Sequence, residues 1–177
     1  MLFEETSLLG AFIITLEPIA DERGFFARSF CTKELEKFNL HSHFVQCNIS
    51  YNHKEGTRRG LHYQAFPHGE VKIVSCRRGS IYDVIVDIRE TSPTYGKWIG
   101  VELSAQNNQA LYVPDGFAHG FQTLCDDVEV SYWMGNYYYP EAATGIRYDD
   151  PLLAITWPPT QQVIMSDGDK NFPRFMR

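Results

Sequence analysis

Along most of the chain, apolar and polar residues alternate with a period of two, in short runs broken by turn residues. This is the pattern of half-buried strands, not of helices. The stretch "VKIVSCRRGSIYDVIVDI", Val71 to Ile88, gives two β-rich runs around Arg78-Gly79-Ser80, and that break predicts a hairpin. "KWIGVELSAQNNQALYVP", Lys97 to Pro114, gives two more around Asn107-Asn108. "VEVSYWM" and "LLAITWP" predict further short strands. One helix is predicted at Thr32–Leu40, where Thr32 can cap and Leu35 and Phe38 share a face. In "VIVDI", Val84 to Ile88, both alternating faces are apolar, so that strand should be covered on both sides. One face is expected to pack inside a barrel and the other against a second copy, which predicts a homodimer. Regularly spaced short strands with few helices imply an all-β fold, a sandwich or barrel of which the jelly roll is one form.

The 177 residues suit a single domain over 1–177, and a chain that is 44% hydrophobic and 14% aromatic can fill a core. No apolar run reaches the length of a membrane span, and the start Met1-Leu2-Phe3-Glu4-Glu5 lacks the basic residues of a signal peptide. No membrane association and a cytoplasmic location are therefore expected. A net charge of -6 argues against nucleic acid as a partner. It leaves room for an anionic small ligand, which needs only a few local cations. Cys31, Cys47, Cys76 and Cys125 stand far apart with no Cys-x-x-Cys pair, so neither a thiolate zinc site nor a disulfide framework is expected.

Two constellations could carry chemistry. In "TRRGLHYQ", Thr57 to Gln64, His62 and Gln64 share one face of a strand. Arg59, three residues before His62, falls on the other face unless the backbone bends at Gly60. The bland alternative is a hydrogen-bonded core histidine beside a solvated arginine. In "VPDGFAHGF", Val113 to Phe121, Pro114, Gly116 and Gly120 predict a tight strand-turn-strand passage with His119 at a barrel mouth, a common place for a ligand. His119 and His62 lack companion metal ligands, and no metal or cofactor is expected. Lys72 within "EVKIV" is either a lysine snorkelling from an edge or a cation aimed inward, with Asp83 as a neighbour. Tyr132 in "VSYWM" reads as packing or chemistry, and Asp167 and Asp169 in "MSDGDKNFP" as a solvated tail.

The segments "DERGFFARSF", "QCNIS", "RGLHYQ", "VKIV", "SPTYGKWIGVELS", "PDGFAHGF", "YYYPEAATGIRYDDP", "ITWP" and "SDGD" occur in an order that resembles the dTDP-4-dehydrorhamnose 3,5-epimerase family. The resemblance implies a metal-independent cupin jelly roll, a homodimer, acting on a nucleotide-diphosphate 4-keto-6-deoxy sugar. A ketone at C4 acidifies the hydrogens at C3 and C5. Removal of either gives an enolate, and return of a proton to the opposite face inverts the carbon. By resemblance His62 is the base, oriented by Asp169, Lys72 steadies the enolate oxygen and Tyr132 is the acid. Arg23 and Arg59 match contacts to the diphosphate. Phe26, Gln46, Asn48, His119 and Tyr138 match further ligand-binding positions, with Tyr138 stacking on the ligand. The family's pattern is broken at Arg28 and Ala143, where it has acidic residues, and at Trp133 and Arg58. Alternative readings are an epimerase inverting only C3 or only C5, with the same carriers and a different sugar pose, and a non-catalytic cupin that binds a nucleotide sugar.

Overall fold

The computed structural model describes residues 1–176. In chain order its elements are β1 (Leu2–Glu5), β2 (Phe12–Thr15), β3 (Ile19–Asp21), β4 (Gly24–Phe26), α1 (Thr32–Glu36), β5 (Gln46–Asn52), β6 (Arg58–Gln64) and β7 (Lys72–Arg78). There follow β8 (Ser80–Asp87), β9 (Trp98–Ser104), β10 (Gln109–Val113), β11 (Phe117–Thr123), β12 (Val128–Met134), β13 (Ala143–Gly145) and α2 (Asp167–Lys170). A six-stranded sheet runs β1-β2-β10-β7-β12-β5, a five-stranded sheet runs β13-β6-β11-β8-β9, and β3 and β4 pair as a separate ribbon. The two large sheets enclose a core that includes Val74, Ile81, Ile85, Leu111, Phe121 and Val130. This is the expected all-β jelly-roll sandwich, with two short helices among the described residues. No helix among them is long and apolar enough to cross a membrane.

Several expectations are corrected. The break at Gly79 separates two strands as predicted, but they do not pair. β7 lies in the six-stranded sheet and β8 in the five-stranded one. Gly79, at φ +74°, carries the chain across the sandwich rather than back alongside itself. Asn107-Asn108 does the same between β9 and β10. A turn signature specifies a reversal, and says nothing of which sheet receives the next strand. "LLAITWP" forms no strand. Pro151 and Pro158 bound it, Ala154 sits at φ +47°, and its Leu153 plugs into the outside of the five-stranded sheet instead.

The helix is also shorter than predicted. α1 ends at Glu36, its cap residue is Cys31 without a side-chain bond, and Thr32 is already helical. Leu35 is buried, whereas Phe38 lies beyond the helix and stacks on Phe3 at 4.6 Å between ring centres. β8 is covered on both faces, as its sequence demands. Its outer residues Val84 and Val86, however, pack against Ile146, Leu153 and Phe175 of the same chain. A second copy is not what covers that face.

Candidate active site

β6 places His62 through a local irregularity. Across the ladder to β11, His119 faces His62 and Phe121 faces Arg59, so three steps on β6 meet two on β11. The extra residue is a bulge, and Gly60, at φ +109°, supplies it. A Cβ there would lie 2.7 Å from Gly120 Cα and from His119 O, which leaves glycine as the residue that fits. The bulge turns Arg59 and His62 into the same cavity, as the bend expected at Gly60 requires. His119 is not at a turn. It lies mid-strand in β11, 4% exposed, and the neighbouring Gly120 serves the close approach to β6.

His62 Nε2 is 2.8 Å from Asp169 Oδ1. Asp169 is not solvated: it sits on α2, whose first turn is capped by the Ser166 hydroxyl accepting from the Asp169 N–H at 3.1 Å. Its second oxygen, Oδ2, accepts the Gly60 N–H at 3.1 Å, so the bulge also anchors the carboxylate. Burial alone would raise the Asp169 pKa. The His62 bond and charge and the Gly60 N–H outweigh it and hold the carboxyl below its ordinary range. The carboxylate is therefore ionised at neutral pH and fixes one ring nitrogen, leaving the other to exchange protons.

The opposite wall comes from the six-stranded sheet. Lys72, the first residue of β7, points inward and is 7% exposed. Its ammonium is 3.0 Å from Glu70 Oε1, not beside Asp83 as expected. Asp83 lies where His119 reaches it, with Oδ1 2.7 Å from His119 Nε2, and its other oxygen is buried without a partner among the described residues. Tyr132 projects inward from β12, its ring 6.2 Å from that of His119. Burial pushes its phenol pKa far up and the Asp83 charge adds to this, while the nearby Ser50 and Arg59 work in the other direction. It therefore remains a protonated donor throughout the neutral range.

These side chains line one cavity of about 190 Å³, with Arg59, His62 and His119 from the five-stranded sheet facing Asn48, Lys72 and Tyr132 from the other. Larger hollows of about 400 and 480 Å³ lie elsewhere, one against the outer face of the six-stranded sheet beside Phe25 and one beside the C-terminal Pro173 to Met176. Neither is lined by a histidine. Among the described residues no three His, Cys, Asp or Glu side chains converge on a point that a metal could occupy.

Gln46 borders the mouth, accepting the Tyr138 N–H at 2.9 Å, and Tyr138 is exposed there. Arg23 and Phe26 are not brought in. They sit on the β3–β4 ribbon, whose Phe25 lies over Ile73, Ser75 and Trp133. Those side chains alternate with Lys72, Val74 and Tyr132 and so face away from the cavity. Of the departures from the family pattern, Arg28 pairs with Glu34 at 2.7 Å and Trp133 stacks on Phe30 at 4.7 Å. Arg58 is buried outside the five-stranded sheet, its guanidinium 4.4 Å from the Trp157 ring centre, and Ala143 is exposed on β13. None of the four lines the cavity.

The sequence reading missed Glu70 and the supporting role of Gln64. Gln64 Oε1 accepts the Tyr139 N–H at 2.7 Å, and Nε2 reaches Glu70 Oε2 at 3.2 Å and Tyr137 O at 3.1 Å. It ties the segment that carries Tyr138 to the partner of Lys72. A period-two count places Glu70 on the face of Lys72 and Gln64 on that of His62, which was the available signal.

Residues 5–177 match the family model described as dTDP-4-dehydrorhamnose 3,5-epimerase. The chain is 44% identical over 167 residues to a dTDP-4-dehydrorhamnose 3,5-epimerase of Shigella flexneri, covering 93% of this chain and 91% of the relative. A crystal structure of the enzyme of that name from Elizabethkingia anophelis superimposes with a TM-score of 0.95 at 42% identity, over 99% of this chain and 96% of the other. A dTDP-6-deoxy-D-glucose-3,5-epimerase of Legionella pneumophila, solved in complex with dTDP-4-keto-L-rhamnose, gives 0.91 at 39% identity over 99% of both chains.

Proposed function

The chain belongs to the dTDP-4-dehydrorhamnose 3,5-epimerase family, and from that premise we propose that His62 and Tyr132 are the two proton carriers of its reaction. The protein is an epimerase that inverts C3 and C5 of a dTDP-linked 4-keto-6-deoxyhexose. One observation carries the assignment: a histidine held by an ionised carboxylate stands on one sheet, and a buried phenol stands on the other, across a single cavity. A planar enolate lying between the sheets offers one face to each carrier.

His62 takes the hydrogen from C5 or C3, with Asp169 fixing the ring and balancing the imidazolium that forms. The C–H electron pair moves into the ring and the C4 oxygen becomes an enolate oxygen, which the Lys72 ammonium steadies. Tyr132 returns a proton from the far side, and inversion follows because donor and acceptor occupy opposite faces. A pure binding module needs neither carrier. Arg59 contacts the diphosphate, Asn48, Gln46 and His119 contact the sugar region, and Tyr138 at the mouth stacks on the nucleotide base. In deuterated water, dTDP-4-keto-6-deoxyglucose is expected to take up label at both C3 and C5 with inversion, read by NMR. Label at one carbon alone would favour the single-centre reading.

The active protein is a homodimer, and the ribbon is the reason. A cavity of about 190 Å³ is smaller than the ~300–1,000 Å³ of whole-ligand sites, so it holds the sugar and leaves the nucleotide outside. Ile19, Phe25 and Phe26 on the ribbon are 74%, 60% and 75% exposed, an apolar patch that water does not favour. Arg23 stands beside them, on the wrong side of its own sheet to reach its own cavity. Docked over a second copy, the ribbon would give Arg23 and Phe26 to that copy's nucleotide. Mixing inactive Arg23→Glu chains with inactive His62→Asn chains is then expected to restore about a quarter of full activity, since half of randomly mixed dimers hold one complete site. No recovery in mixtures shown to exchange subunits would place Arg23 outside the site.

A further inference from the structure

Beyond the residues already placed in the cavity, β5 carries a polar pair, Ser50 and Asn52, that leads from Arg59 toward Tyr132. Asn52, at the end of β5, is 2% exposed. Arg59 Nε donates to its Oδ1 at 2.8 Å, and its Nδ2 is 3.3 Å from Ser50 Oγ and 3.3 Å from Val128 O. Across the β5–β12 ladder Asn48 stands opposite Tyr132 and Ser50 opposite Val130. Residues two apart share a face, so Ser50 lies diagonal to Tyr132 on the inner side, within reach of its side chain.

We propose that Ser50 is a positioning residue for Tyr132, donating its hydroxyl hydrogen to the phenol oxygen as the phenol gives up its proton, with Asn52 holding Ser50 and tying it to Arg59. The inference rests on Tyr132 being the acid. When the phenol O–H breaks and the new C–H bond forms, a phenolate is left in a buried site beside the Asp83 carboxylate, and both features oppose it. A neutral donor on the phenol oxygen lowers that cost. A serine hydroxyl has one hydrogen to give, and its two candidate acceptors are the phenol oxygen and Asn52 Oδ1, 3.5 Å away. Asn52 Oδ1 is already engaged by Arg59 at the shorter distance. Asn52 Nδ2 can then donate to Ser50 Oγ while the Ser50 hydrogen turns to Tyr132. Ser50 and Arg59 are the neighbours that move the Tyr132 pKa down against burial. Solvent returns the proton to the phenolate after product leaves.

The same linkage joins the phosphate side of the site to the acid. An Arg59 that meets the diphosphate through its terminal nitrogens can keep its Nε on Asn52 Oδ1, which leaves the Ser50 hydrogen for Tyr132. Binding of the nucleotide end is thereby compatible with proton delivery at the sugar end.

The test compares Ser50→Ala, Ser50→Thr and Tyr132→Phe in deuterated water, measuring inverted product against label that enters with retention. Ser50→Ala is expected to lower inversion about tenfold relative to exchange, as befits loss of a donor to a developing charge. Ser50→Thr, which keeps the hydroxyl, is expected to hold the wild-type ratio. Equal loss of exchange and inversion in Ser50→Ala would mark a merely structural serine, and an unchanged ratio would overturn the proposal as well. If Tyr132→Phe separates inversion from exchange and Ser50→Ala does not, the inference fails while the assignment of the acid stands. If Tyr132→Phe inverts normally, that assignment fails and takes the inference with it.

Discussion

Replacing His62 by asparagine lowers hydrogen exchange at both C3 and C5 by about 10³-fold, because general bases contribute ~10²–10⁴ and no other group in the cavity can take this one's place. Asparagine is shorter than the imidazole and gives up the bond from Nε2 to Asp169, but the Gly60 N–H still holds that carboxylate and helps to keep α2 in place. What is lost above all is the proton acceptor. Lys72 is engaged by Glu70, and the nearest other imidazole, His119, is held by Asp83 through the nitrogen that His62 gives to Asp169. Asp169→Asn is expected to be milder: the imidazole remains, without the charge that orients it and balances its proton. NMR of the wash-in of deuterium, followed at each carbon separately, reads both variants. Wild-type exchange in His62→Asn would show that the base lies elsewhere.

The second large effect comes from Tyr132→Phe, and it differs in kind. The base is intact, so the hydrogen still leaves and deuterium can return from the same side. Label then enters with retention while inverted product falls by about 10²-fold or more, the share expected of a positioned acid. Phenylalanine keeps the ring against His119, so the cavity should not collapse. A structural tyrosine predicts another pattern, in which exchange and inversion fall together. The two substitutions therefore dissect one reaction into its halves: without His62 neither half proceeds, and without Tyr132 only the first does.

The sheets were legible from alternation, because burial on one face of a strand forces a period of two. Their pairing was not. The breaks at Gly79 and at Asn107-Asn108 mark reversals in direction, and whether a strand returns beside its predecessor or crosses to the other sheet depends on contacts distant in sequence. The same limit separated Lys72 from Asp83. Alternation gives the face a side chain occupies but not its depth, and His119, from a third strand, takes up Asp83. His62 with Asp169, 107 residues apart, could be joined through the family resemblance and not by spacing. Ser50 and Asn52 passed unnoticed because polar residues at alternate positions of a strand read as its wet side. Here that side faces a cavity.

The seam between β6 and β11 has a lasting consequence for what this chain can become. At Gly60 and Gly120 two backbones touch: a methyl group on Gly120 would fall 2.6 Å from Arg59 O, and one on Gly60 would meet Gly120 itself. Any heavier residue must push the strands apart, and His62 and His119 are carried by those strands. Nothing at either position can be trimmed, and nothing can be added. A substitution meant to retune the pocket is therefore better placed on the opposite sheet or at the mouth, where it leaves the spacing of the two imidazoles untouched.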